Sequence, residues 1–188
     1  MAGPVTLSID ISGIEGKVDE IGGIRSRLKN PMPAWLATAN LLEKHVGGVF
    51  ASQGARGGSL WKPLAASTVK ARTKRWGYYR RPPAFSAGPT SPVLTWSGRL
   101  RRSFRRGGAG HVRHISASGL TWGSSVRYGI FHDSPGPRTG HLPRRAILAF
   151  GSIFQEREIL VRPLQLYLQG VPAGAIETVV GSRIGVGP

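Results

Sequence analysis

Arginines clustered among aromatic residues are the side chains of this sequence best suited to chemistry with a partner. Lys70, Arg72, Lys74, Arg75, Arg80 and Arg81 are followed by Arg99, Arg101, Arg102, Arg105 and Arg106, with Trp76, Tyr78, Tyr79, Phe85 and Trp96 interleaved. Guanidinium groups grip phosphate oxygens and aromatic faces stack on bases, so the pattern suits a nucleic-acid backbone, with affinity that falls as salt rises. The same residue types are enriched in protein interfaces. Composition leaves both partners open. No zinc-finger spacing or other nucleic-acid motif is present, so sequence-specific recognition is not expected.

Catalytic chemistry has thinner support. A metal-dependent nuclease needs clustered carboxylates, yet Asp10, Glu15, Asp19, Glu20, Glu43, Asp133, Glu156, Glu158 and Glu177 form no recognisable motif. His132 beside Asp133 is the one mid-chain His–carboxylate neighbour pair, and an Asp before Ser-Pro-Gly-Pro reads more simply as a turn initiator. His111 and His114 stand three apart, which on a strand puts them on opposite faces. Gly54 to Ser59 lacks the Gly-Lys-Ser/Thr ending of a phosphate loop, and no Gly-x-Ser-x-Gly elbow occurs. The chain has no cysteine, hence no disulfide and no thiolate. The expectation is a protein that is not an enzyme, with no metal and no cofactor.

The charge balance sharpens this. Lys plus Arg number 26 against 9 Asp plus Glu, a formal charge of +17. From Lys44 to His132 there are 16 basic residues and no acidic one, whereas both termini are nearly balanced. Such a span repels itself and attracts polyanions, and is better tolerated when an acidic surface, a nucleic acid or a partner subunit neutralises it. No apolar run approaches the ~20 residues of a membrane helix, and the N-terminus has no signal-peptide block, so synthesis in the cytoplasm and no membrane partner are expected.

The elements that must carry these residues follow from periodicity. Val5, Leu7, Ile9 and Ile11 alternate with polar residues as in a strand with one buried face. Val18, Ile21 and Leu28 fall near helical spacing, weakened by Gly22-Gly23. Trp35, Ala39, Leu42, Val46 and Phe50 define one apolar face of a longer helix after Pro31-Met32-Pro33. A basic helix to about Arg75 follows, with Pro63 in its first turn. Residues 76–92 read as a long exposed basic loop. Segments 94–104, 111–117 and 120–123 read as successive strands of an antiparallel meander. A last helix over about 152–169 carries Phe154, Ile159, Leu160, Leu164 and Leu168, kinked or divided by Pro163. Together these predict one α+β domain over 1–170, an antiparallel or mixed sheet with helices on one side, and an extended Gly-rich arm over 171–188.

The order of motifs resembles the virion-morphogenesis or tail-completion family of tailed bacteriophages, over about residues 5–168. A long helix ends in Phe50, and a Gly-containing loop leads to Trp61, Pro63, Leu64 and Thr68. After the basic patch come Leu94, Ser97, Gly98, Leu100 and Ser103, then Tyr128, Gly129 and His132, and finally Pro143 and Arg145. The long basic insertion at 76–92 and the segment after Gly170 depart from the family pattern.

The resemblance implies a non-enzymatic head-to-tail joining subunit at the neck or top of the tail. It would form a homo-oligomeric ring of six copies, with twelve as the alternative on the portal side, and touch neck, connector or tail-tube proteins or DNA in the channel. On this reading Trp61, Leu64, Leu100 and Tyr128 hold the fold, while Lys74, Arg75, Arg80, Arg81, Arg99, Arg101, Arg102, Arg105 and Arg106 face DNA or a partner. A nonspecific DNA-binding protein is the rival reading of the same arginines.

Overall fold

A computed structural model of the protein describes residues 12–76, 93–94, 97–133 and 143–185, with the side chains of 12–18 and 72–76 outside that description. The expected strand over Val5 to Ile11 lies outside the described residues, as do positions 77–92 of the basic loop with Arg80 and Arg81. The class is α+β: helices around a single two-stranded antiparallel hairpin among the described residues.

The organising element is the helix α2, Met32–Ala51, which follows α1, Ser12–Lys29. Pro33 sits in the first turn of α2, where its missing N–H costs no helical bond. Of the expected apolar face, Ala39, Leu42, Val46 and Phe50 are buried and Trp35 half-buried. The helix stops where Gln53 and Gly54 both turn left-handed, the Gly54 N–H reaching back to the Val49 carbonyl at 2.8 Å. A side chain at Gly54 would run into the Ser59 carbonyl and the Trp61 ring, so only glycine serves there. A short 3-10 turn, Ala55–Gly57, leads through Trp61 to α3, Ala66–Trp76. Pro63 therefore precedes α3 instead of occupying its first turn, and α3 takes in the first residue of the expected loop.

The two halves of α2 serve two cores. Its second half gives Val46, Val49 and Phe50 to a cluster with Trp61, Leu100, Phe104, Val126 and Ile147. Its first half gives Ala37, Leu41 and Leu42 to a cluster with Ile159, Leu166, Ile176 and Val180. The hairpin, β1 His111–Ser116 and β2 Gly119–Ser124, turns at Ala117-Ser118 and lies against α2, with Trp122 packed on both clusters. These two strands fall where the sequence reading placed them, on either side of a Ser-Gly turn.

The described part of the segment 94–104, residues 94 and 97–104, is not a strand. After Gly98, at φ 65°, it forms α4, Arg99–Ser103, because Leu100, Ser103 and Phe104 at i, i+3 and i+4 all point inward. The Ser103 and Ser124 hydroxyls, 2.6 Å apart, tie α4 to the hairpin. The meander is thus reduced to two strands. Downstream comes α5, Gly129–Asp133.

The predicted last helix is divided as expected, into α6, Ile153–Leu160, and α7, Arg162–Leu168, with Pro163 in the opening turn of α7. The Ser152 hydroxyl caps α6 by accepting the Gln155 N–H at 3.1 Å, and the Gln155 side chain accepts the Gly151 N–H at 2.9 Å. The arm expected over 171–188 is corrected: α8, Ala173–Arg183, buries Ile176 and Val180 completely. Two aliphatic residues four apart outweigh the glycines around them once a core is there to receive them. The folded unit therefore continues past the expected boundary at 170.

Candidate nucleic-acid or partner interface

Most of the arginines singled out in the sequence that the structure describes are gathered by α4 and the turn after it. Leu100, Ser103 and Phe104 anchor this short element in the core, so the remaining positions must face outward. Arg99, Arg102, Arg105 and Arg106 are exposed, and Arg101 is half-buried with its Nε enclosed and without a hydrogen-bond partner. Arg102 is held in place by donating to the Ser97 carbonyl at 2.9 Å. Among the described residues none of these five guanidinium groups forms an ion pair. Lys74 and Arg75 lie on α3, with their side chains outside the description.

Beside this face Glu43 of α2 is a hub that sequence reading missed. Its carboxylate accepts from the Arg113 guanidinium at 3.0 Å and from the backbone N–H of Arg106 at 3.2 Å, and it lies 3.5 Å from His111 Nε2. Arg113 also donates to Asn40 Oδ1 at 2.9 Å, and Asn40 Nδ2 donates to Glu177 of α8 at 2.5 Å. One carboxylate thereby fixes β1, α2 and the arginine-bearing turn in register, which keeps the exposed cations on a rigid mount.

The motif residues converge from three stretches of chain. Trp61 is buried edge-on to Phe50, ring centres 5.3 Å apart, and its indole N–H donates to the Ala146 carbonyl at 3.2 Å. Arg145 is 5% exposed; its Nη2 donates to the Lys62 carbonyl at 3.2 Å and its backbone N–H to the His132 carbonyl at 2.7 Å. Leu100 is buried, Leu64 and Leu94 pack on the same core, and Gly98 opens α4 instead of the strand expected there. Pro63 and Thr68 are exposed, and so is Tyr128 at 40%, so a purely fold-holding role for Tyr128 finds no burial behind it.

The residues considered for catalysis take structural positions. Asp133 Oδ1 accepts the N–H groups of Ile147 and Leu148 at 2.6 and 3.0 Å, pinning the returning chain to α5. Burial, and then the neighbouring Arg145, push the His132 pKa below its ordinary value. His111 Nδ1 lies 3.1 Å from the Ser103 carbonyl while His114 is exposed across the strand, and no metal-holding group of three such residues occurs among the described residues. No helix among the described residues is long and apolar enough to cross a membrane. Comparison with protein-family models, curated proteins and solved structures finds no match.

Proposed function

We propose that this chain is a structural subunit of a tailed-phage virion, a tail-completion or head-to-tail joining protein that works as a homo-oligomeric ring, six copies or alternatively twelve, at the neck or tail top. It is made in the host cytoplasm, acts stoichiometrically and not as an enzyme, and joins neck, connector or tail-tube neighbours. The observation that carries this reading is the arginine face of α4. Clustered cations without paired anions repel one another and favour a state in which something outside the monomer neutralises them. The order of motifs from Phe50 to Arg145 supports the family resemblance, and within it Trp61 bonds to Ala146 while Arg145 bonds to Lys62 and His132. A closed ring arises when heterologous contacts repeat about an axis, and it would present the arginines to channel DNA or to an acidic neighbouring ring.

The test is the native mass of the purified protein with and without its neck partners. A cyclic oligomer in either condition is expected, and a persistent monomer in both would overturn the reading. The second reading, a nonspecific DNA-binding protein, draws on the same arginines. Reversing the charge of Arg101, Arg102, Arg105 and Arg106 separates the two: loss of DNA retention with intact particle assembly selects the DNA binder.

A further inference from the structure

The inward side of α4 borders an apolar cleft. Leu100, Phe104, Val126, Ile130, Ile147 and Leu148 line a groove of about 560 Å³, a size typical of sites that bury a ligand's apolar groups. Its lip is uncovered, since Ile130 is 65% and Leu148 49% exposed, and Phe131 beside them is 45% exposed. Arg127 lines the groove as its cation, and Asp133, which also lines it, has its Oδ1 taken up by the Ile147 and Leu148 N–H groups. An occupant that matches this chemistry is an apolar helix edge bearing carboxylates.

The chain contains one such segment. Four of its nine acidic residues, Asp10, Glu15, Asp19 and Glu20, fall in eleven positions with Lys17 as the single cation among them. Most of these lie in the first half of α1, where Val18 and Ile21 recur at near-helical spacing. The other end of α1 is fastened to α7, through Arg27 Nη1 on the Leu168 carbonyl at 2.9 Å and, just beyond, Tyr167 Oη on the Asn30 carbonyl at 3.0 Å. That leaves Asp19 and Ile21 exposed, Ile21 by 65%. Because both Ile21 and Ile130 are open in the same molecule, Ile21 does not fill the groove of its own chain.

We propose that the stretch of α1 around Asp19 and Ile21 from one copy seats in the apolar groove beside Arg127 of a second copy. This deepens the ring reading and rests on it. The two surfaces differ, so each copy offers a helix to one neighbour and a groove to the other, the heterologous contact from which a ring closes. Ile21 would enter beside Ile130 and Leu148, with the Asp19 carboxylate meeting Arg127.

The natural absence of cysteine permits a direct test on the full chain. Ile21→Cys and Ile130→Cys proteins are mixed and oxidised, with Leu60→Cys, 74% exposed, as the control partner for each. A disulfide-linked pair is expected for 21 with 130 and not with 60. In parallel, Asp19→Lys or Arg127→Glu should each weaken self-association about tenfold, and mixing the two variants should restore it at the swapped contact. Oligomers that form without the 21–130 cross-link and ignore both charge reversals would overturn this contact while leaving the ring reading intact. So would a groove that cross-links to an acidic segment of a neck protein in place of α1. A monomer in every condition, neck partners included, would overturn both.

Discussion

Ile176→Ala tests the least expected element, the docked C-terminal helix. Ile176 is fully buried among Leu41, Ile159 and Leu166, and its helix contacts α2 and α7. Three carbons leave the core, each worth about 0.8 kcal/mol by transfer from water. Adding about 1 kcal/mol for the void left behind gives a loss of about 3.5 kcal/mol, within the span seen for large-to-small core changes. In urea unfolding followed by tryptophan fluorescence, with a slope of about 2.5 kcal/mol per molar, the midpoint should fall by about 1.4 M. Val179→Ala is the control, because Val179 is 36% exposed on the same helix and should cost less than about 0.5 kcal/mol. Equal, small shifts for the two variants would refute the docking of α8 and return residues 171–185 to an arm.

Three further outcomes are expected. Glu43→Ala removes a carboxylate that accepts from Arg113 and from the Arg106 N–H, and should cost about 2 kcal/mol in the same assay, with Glu43→Gln costing less. His45 has its pKa lowered, chiefly by burial and secondarily by Arg56, against a hydrogen bond to the Ala149 carbonyl that raises it. The unfolded chain therefore binds a proton more readily, so stability should drop as pH falls below about 6.5, and His45→Gln should flatten that slope between pH 7.5 and 5.5. If channel DNA is the partner, Arg105→Ala and Arg106→Ala should each reduce the slope of log affinity against log salt by about one, whereas an unchanged slope assigns the face to a protein neighbour.

Long periodic elements were legible in the sequence because each of their residues votes for the same face. α2 shows this with Ala39, Leu42, Val46 and Phe50, while the hairpin was marked by its Ser-Gly turn. α4 was misread because five residues span little more than one helical turn, too short for period 2 and period 3.6 to be told apart around Leu100 and Phe104. α8 was misread because Gly174, Gly181 and Gly185 outweighed Ile176 and Val180, although their spacing of four carried the signal. The arginines of the candidate site could be read from composition alone. Their mount could not, since Glu43 meets Arg113 and Asn40 meets Glu177 across 70 and 137 positions of chain. Such polar contacts leave no periodic trace.

Because α2 is embedded at one end in the core beneath the arginines and at the other in the core of α6, α7 and α8, it behaves as a strut about 30 Å long. Trp122, wedged against both cores, braces it from the side. A push delivered at the cationic rim would travel along this rod to the opposite end of the subunit without passing through a hinge. Assembled side by side, such units would tilt as whole bodies under load, so strain at one rim of the assembly would be felt at the other.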